Sequence, residues 1–380
     1  MHHDNLSPMR VETQPGQTEA DRRARPALEL DAEPQALETF IAEQLEPAFD
    51  QLHRWQNIMD HEMLLHRAAR RKKMTITKIN DSNVLFFLAG MVVGGMDTVV
   101  TSLVSHQARR VSASKAMTKK YLQAAEVPTP RGRAINPTEF SRAVQHLKKS
   151  GGPVTVKPSA GRAGRGITTA VTTKEQLRQA WTSAMAARSA TSSARYVIMV
   201  EEHRPGLDIR AYVVGETVVA AVARVPFYVI GDGLSTVGEL AAAELERRRP
   251  NAYLSARQPR VTDAFLAPMG ITMQTVPERG ALQLLTPTAD TARGGGLAVD
   301  VLELLSDELR DLAADGLLAV PGLGAGAVDM LAPDLGSAAE AVVLDVNPYA
   351  NLMQFHYPAY GTARRVNDPI IDQLLHRASR

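Results

Sequence analysis

The segment V-T-V-K-P-S-A-G-R-A-G-R-G-I, residues 154–167, limits what this chain can fold into more than any other stretch. Val154–Val156 is β-rich and lies between Gly152-Pro153 and Pro158, so it predicts a short buried strand that Pro158 stops. The strand delivers Lys157. A loop follows with glycines at Gly161, Gly164 and Gly166 and arginines at Arg162 and Arg165. Glycine lets the backbone approach a ligand closely and aim N–H groups at it, which suits a phosphate chain. A lysine just ahead of such a loop is a point charge for phosphate oxygens. The spacing is neither the Walker pattern, which needs Gly-Lys-Ser/Thr after the loop, nor the dinucleotide pattern, whose glycines directly follow the strand. The same residues also make an ordinary surface turn with scattered basic side chains. The phosphate reading therefore depends on an adenine pocket and metal-binding carboxylates elsewhere.

With 380 residues the chain is long enough for two or three domains with sizeable cores. Lys+Arg 43 against Asp+Glu 41 is nearly balanced, which argues against a general nucleic-acid binder. The absence of cysteine excludes disulfides, thiolate catalysis and cysteine-based zinc sites, and fits a reducing cytosol. The N-terminus lacks the basic-then-apolar pattern of a signal peptide, so a cytoplasmic location is expected. One apolar run, Val84–Ser105, is about long enough to cross a bilayer. Asp97 and Gly94-Gly95 in its middle argue against that. The run reads instead as a strand at Val84–Leu88, a glycine-rich loop and a helix at Thr98–Gln107, without membrane association.

Residues 1–33 are polar, lack an apolar period and read as a disordered arm. Helical spacing runs through Pro34–His53 and Trp55–Arg71, and strands are expected at Met74–Ile79 and Val84–Leu88. Helices are predicted at Ser114–Ala125, Pro137–Lys149, Thr173–Met185, Thr236–Arg249 and Ser306–Leu318, with a short one at Pro369–Leu375. Strands are expected at Gly132–Ile135, Tyr196–Val200, Ala211–Val214, Val218–Ala223, Phe227–Ile230, Leu282–Leu285, Ala325–Leu331 and Ala341–Asn347. A hairpin is expected across Gly215-Glu216, and residues 250–270 read as irregular.

Residues two apart on a strand share a face, so Asp345 and Asn347 point the same way. If their strand pairs with the preceding one, Asp329 joins them. Carboxylate and amide oxygens suit Mg²⁺, and the same residues also suit strand-end turns. Glu201-Glu202 directly after a strand suits an adenine-bordering linker, and Asp208 suits a ribose hydroxyl. Arg210 and Arg224 on neighbouring strands suit phosphate or an acyl phosphate. Solvated strand-end charges are the alternative for all of these.

Taken in order, several motifs resemble the ATP-grasp carboxylate–amine ligases, in particular the ATP-grasp part of cyanophycin synthetase and of bifunctional glutathione synthetases. They are S-K-A-M-T-K-K-Y-L-Q-A-A-E-V-P-T-P (114–130), the Lys157 glycine loop, V-E-E-H-R-P-G-L-D-I-R (200–210), A-A-V-A-R-V-P-F-Y-V-I-G-D-G-L-S-T-V-G-E-L (220–240), and A-V-D-M (327–330) with D-V-N (345–347). The resemblance covers about Leu64–Leu375. It implies a mixed α/β (α+β) ATP-grasp domain over 114–380, divided into an ATP-binding lid at 114–200 and a C-terminal part at 201–380. A small α/β domain with N-terminal helices at 34–113 would precede it.

On this resemblance Lys115 and Lys157 contact ATP phosphates, and the backbone of 159–166, with Gly161, Arg162, Gly164 and Gly166, covers them. Glu201 and Glu202 border adenine, Asp208 takes the ribose, and Arg210 and Arg224 stabilise phosphates or the acyl phosphate. Asp329, Asp345 and Asn347 hold magnesium, as a pair of ions. Three departures stand out: Asp345 where the family usually has Glu, the loop Pro348-Tyr349-Ala350-Asn351 in place of a small-residue Pro-Gly loop, and Asp290 and Arg293 in the loop 289–296. The implied activity is amide or peptide bond formation between amino acids or short peptides. A non-catalytic nucleotide-binding or regulatory protein on the same scaffold is the alternative. Arg257, Arg260, Arg293, Tyr349 and His356 are candidates for holding a substrate carboxylate or amine, and apolar helices around Leu37–Leu52 offer a surface for a homo-oligomer.

Overall fold

The computed structural model describes Leu28 and residues 35–161, 164–187, 197–259, 261–287, 289–291 and 295–379. The expectation for residues 1–33 falls almost wholly outside them. Helix α1 (Ala36–Phe40) runs into a π-helical turn at Ile41–Leu45. The helix expected over Trp55–Arg71 is shorter: α2 spans His61–Arg71 and starts where the Asp60 side chain accepts from Met63 N. Residues 52–60 are withheld from helix by other partners. The Trp55 indole donates to Pro358 O at 2.9 Å, and Ala252 N donates to Trp55 O at 2.7 Å.

Strands β1 (Thr75–Lys78), β2 (Asn83–Leu88), β3 (Met91–Asp97) and β4 (Val100–Thr101) pair in that order as one antiparallel sheet. This corrects the helix expected at Thr98–Gln107. The run 84–105 turns back at Ala89-Gly90 (φ 50° and 82°) and again at Thr98 (φ 56°). Gly95 does not break the strand: it lies inside β3, where a Cβ would stand 2.9 Å from Val84 O. Helix α3 (His106–Ser112) begins only after Ser105, which caps it. Among the described residues no helix is long and apolar enough to cross a membrane. Helix α4 (Lys115–Ala124) follows, capped by Ser114 as its sequence predicts.

A second sheet is built from β5 (Gly132–Ile135), α5 (Phe140–Lys149), β6 (Val154–Pro158), β7 (Thr168–Val171), α6 (Lys174–Ala186) and β8 (Ile198–Glu202). Its strand order is β5-β8-β6-β7. Strand β6 runs through Lys157 and Pro158, beyond the stop expected at the proline. Pro158 is the last residue of the ladder, opposite Ile198, where a missing N–H costs little. Val154, Val156, Leu177, Trp181, Ile198 and Val200 make this layer's own core.

The remaining elements are β9 (Leu207–Val214), β10 (Thr217–Val225), β11 (Tyr228–Ile230), α7 (Val237–Arg248), α8 (Ala252–Ser255), α9 (Asp263–Leu266), β12 (Leu282–Leu284), β13 (Leu297–Asp300), α10 (Asp307–Leu318), β14 (Ala325–Ala332), β15 (Val342–Asn347), α11 (Met353–His356) and α12 (Asn367–Ala378). The segment 250–270, read as irregular, thus holds two short helices, and β7, β13 and α11 were not anticipated. The central sheet has the order β13-β10-β9-β14-β15, and β11 pairs with β12. Every pairing between named strands is antiparallel.

Period-two alternation gives the central sheet two unlike faces. Ile209, Ala211, Val328, Met330 and Val346 are fully buried on one. Helix α10 covers that face with Leu309, Ala313, Gly316 and Leu317, a helical stripe. A Cβ on Gly316 would stand 3.1 Å from Val328 Cγ1, so glycine here sets the close approach of helix and sheet. Leu64, Leu65, Phe86, Ile370 and Leu374 belong to the same continuous core.

His61, at the start of α2, is 6% exposed, and its Nδ1 accepts from Leu352 N at 3.3 Å. Burial, outweighing the favourable field of Asp60, pushes its imidazole down to about 4. The unfolded chain titrates near the ordinary value of about 6.5 and takes up its proton first as pH falls, so stability present above that value is lost on the way down to the folded value. Between about pH 7 and pH 5 this loss is about 2 kcal/mol. His61→Gln is expected to flatten that limb in a pH series of urea unfolding; an equally steep limb in the variant would contradict the assignment.

Candidate functional site

The face of the central sheet turned away from α10 carries charge. Asp208 and Arg210 lie two apart on β9, and Arg224 lies on the neighbouring β10. Arg210 is paired in register with Asp329 on β14, and Asp329 with Asp345 on β15. Antiparallel pairing therefore draws three distant sequence positions into one cross-strand row. Asn347 follows two residues along β15, opposite Ala327.

The charges in this row are matched. Arg210 grips Asp329 with both arms, Nε to Oδ1 at 2.6 Å and Nη2 to Oδ2 at 2.7 Å. Arg224 donates to Asp208 through Nε at 3.0 Å and through Nη2, and stands 3.5 Å from Asp329 Oδ1. Burial opposes the charge of Asp329, but Arg210 and Arg224 outweigh it and hold the carboxyl far below the usual range. Lys115 Nζ, from the first turn of α4, meets Asp345 Oδ2 at 2.5 Å. Burial works against this ammonium too, and Asp345 outweighs it and raises its pKa. Asn347 Oδ1 accepts from Tyr349 N at 2.8 Å. Tyr349 in turn accepts from Arg109 Nε at 3.2 Å, and Arg109 is paired with Asp97 at 2.8 Å.

One helical turn beyond Lys115, α4 presents Lys119 to the other sheet. Glu201 of β8, 2% exposed, takes Lys119 on Oε1 at 2.6 Å and Lys157 on Oε2 at 2.7 Å. Burial disfavours the Glu201 charge, but Lys157 and Lys119 outweigh it and hold the carboxyl below its usual range. Burial pushes Lys119 down. The sequence reading singled out Lys115 and Lys157 and passed over Lys119. The available signal was its position four residues after Lys115, on the same helix face. Glu202 points elsewhere, accepting from Arg131 Nε and N, both at 3.0 Å.

The glycine loop returns to α4: Ser159 O accepts from Lys115 N at 2.8 Å. Gly164 and Gly166 have φ of 66° and 73°, and a Cβ on Gly166 would stand 2.6 Å from Ala187 Cβ. Gly161 has an extended backbone near φ 158°. Arg162, Arg260 and Arg293 lie outside the described residues. Arg257 packs on Tyr253, and His356, half-buried, lies against Tyr357. The structure thus gathers Lys115, Asp208, Arg210, Arg224, Asp329 and Asp345 in one cluster and Lys119, Lys157 and Glu201 in a second, with α4 between them.

These two charged clusters, with the helix between them and the glycine loop beside it, lie in an ATP-grasp domain. A family model described as carbamoyl-phosphate synthase L chain, ATP binding domain, matches residues 114–206. This domain resembles cyanophycin synthetase and the bifunctional glutathione biosynthesis proteins. Cyanophycin synthetase of Nostoc sp. is 31% identical over 275 residues, covering 70% of this chain and 29% of that protein. The glutathione biosynthesis bifunctional protein of Mannheimia succiniciproducens is 27% identical over 287 residues, covering 72% of this chain and 37% of that protein. The chain thus spans well under half the length of these relatives. The crystal structure of a bifunctional glutathione synthetase from Pasteurella multocida shares the fold with a TM-score of 0.58 at 21% identity, over 89% of this chain and 47% of that one.

Removing one partner of a buried pair leaves an uncompensated charge, at a cost of about 3–5 kcal/mol. Glu201→Gln leaves both lysines without their carboxylate and is expected to destabilise the protein by about that amount in urea unfolding. Lys119→Met is expected to weaken ATP binding by calorimetry about tenfold or more, as loss of a charge-assisted contact does. Unchanged affinity would remove Lys119 from the site.

Proposed function

We propose that the chain is an ATP-dependent ligase that joins a carboxylate to an amine through an acyl phosphate. The observation that carries this is the cross-strand row Arg210–Asp329–Asp345, capped by Lys115, with a second cation pair, Lys119 one turn further along the same helix and Lys157 on β6. A phosphate chain needs several fixed cations, and a carboxylate being phosphorylated needs its growing charge neutralised. Lys119 and Lys157 bind and orient the phosphates of ATP. Arg210 and Arg224 hold the acid beside the γ-phosphate. A carboxylate oxygen attacks the γ-phosphorus, and the bond from that phosphorus to its bridging oxygen breaks as ADP leaves. The amine nitrogen then attacks the acyl carbon, the carbon–oxygen bond to phosphate breaks, and the surplus amine proton leaves with phosphate. Positioning and charge neutralisation supply the rate.

Two carboxylates and an amide oxygen on adjacent strand positions fit magnesium, a hard ion that takes one or two carboxylates and completes its shell from phosphates and water. Among the described residues no group of three or more histidine, cysteine or acidic side chains is placed to hold a metal ion by itself. In this structure the side-chain cations of Arg210 and Lys115 supply positive charge to Asp329 and Asp345. Bound there, magnesium would neutralise phosphate charge. Asp329, Asp345 and Asn347 would hold it. Amino acids or short peptides are the proposed substrates, by analogy with the relative named for glutathione biosynthesis.

ADP and phosphate release is expected only when ATP, Mg²⁺, an acid and an amine are all present, with a condensed product of matching mass. Asp329→Asn is expected to lower that rate about a hundredfold or more, the scale of losing a central electrostatic group. ATP hydrolysis that ignores the amine would refute the ligase reading, and turnover that survives Asp329→Asn would refute the assignment of the row.

A further inference from the structure

Beside the charged face lies a polar cluster that the reaction above leaves unused. Tyr212 follows Arg210 by two residues on β9 and shares its face. Phe355 of α11 packs on Tyr212 with ring centroids 5.6 Å apart. The neighbouring residue, Gln354, is 3% exposed, and its Oε1 accepts from Thr291 Oγ1 at 3.4 Å. Among the described residues its amide nitrogen reaches Asn351 O alone, at 3.5 Å, the outer limit of a hydrogen bond. Thr291 also bonds the buried Tyr253, which feels the charges of Asp290 and Arg210. Asp290 acts on Arg224 as well. The cluster therefore adjoins the reacting face.

Its cation is Arg257. The guanidinium lies 4.0 Å from the Tyr253 ring centroid, and Nη1 donates to Tyr253 O at 2.8 Å. Among the described residues Nη2 meets Met353 Sδ alone, a weak acceptor, at 3.9 Å. Arg257 pairs with no carboxylate among the described residues. The two arginines of the charged row are matched, Arg210 by Asp329 and Arg224 by Asp208. Stacking on Tyr253 and the bond to its carbonyl fix the plane of the guanidinium and leave the remaining N–H groups as a fork. Such a fork recognises a carboxylate.

We propose that Arg257, with Gln354 and Thr291, holds a carboxylate of an amino-acid substrate other than the one that is phosphorylated. This rests on the ligase reading, in which Arg210 and Arg224 take the reacting carboxylate and leave a second one for Arg257. The second carboxylate comes from the amine partner or from a second acid group on the acyl partner, and the experiment separates the two.

The test measures ADP release by the full chain with a panel of common amino acids, each supplied as free acid and as α-carboxamide, in pairs. Wild type, Arg257→Gln and Arg257→Lys are compared. Arg257→Gln is expected to raise KM for the free acid of one partner by roughly ten- to a hundredfold, the scale of a charge-assisted contact, with KM for ATP unchanged. The wild-type preference for acid over amide is expected to collapse in Arg257→Gln and to be partly kept in Arg257→Lys. The partner whose amide form loses the Arg257 effect is the source of the carboxylate. Equal losses on acid and amide, or no loss on either, overturn the proposal. If no pair supports turnover by wild type, the ligase reading fails separately. The subsite then predicts that a free acid, and not its amide, raises the melting temperature of wild type but not of Arg257→Gln; no such stabilisation by any member of the panel overturns the subsite as well.

Discussion

Glu201 is a single buried carboxylate shared by two lysines from different elements, Lys119 of α4 and Lys157 of β6. Two ammonium groups so close together would repel one another without it. With it they are held in place. The interaction also has a mechanical side. Helix α4 is pinned to the four-stranded sheet through Lys119 and to the central sheet through Lys115 and Asp345, one turn away. The backbone adds to both attachments, since Lys115 N donates to Ser159 O and Val343 N donates to Pro128 O, just past the helix. One short helix thus sets the distance between the two groups of cations.

The central sheet depends on a different constraint. Its α10 side is fully apolar and its other side carries the matched charges, so register has to be fixed to the residue. A bulge between Asp329 and Met330 makes this possible. Val343 packs toward Gly316 of α10. Asp345, two residues later, pairs with Asp329 in the charged row. In a regular strand these two would share a face; the extra residue at Leu344 turns one of them over. The core and the site are therefore built from the same six-residue strand without conflict.

Much of the local structure was legible because it depends on short-range chemistry. Ser114, Thr173, Thr236 and Ser306 cap helices in the structure, and the hairpin across Gly215-Glu216 forms as its turn residues demand. The hairpins within 84–105 were misread because glycine pairs serve equally as loop and as strand. Only the approach of Val84 O to Gly95 decides between them. Lys119 was missed for a related reason. Two lysines one helical turn apart look alike in sequence, and which of them meets Glu201 depends on where the sheets lie.

By itself the sequence determined the identity and order of the charged groups. It carried the glycine loop after Lys157, the alternation that puts Asp345 and Asn347 on one side of a strand, and the ordered motifs that resemble an ATP-grasp domain. Tertiary structure alone decided the partners. It paired Arg210 with Asp329 and Lys115 with Asp345, buried Glu201 between two lysines, and stacked Arg257 on Tyr253 with no carboxylate partner among the described residues. The first two pairings join residues more than a hundred positions apart, and long-range register and burial, which set them, leave no trace in local spacing.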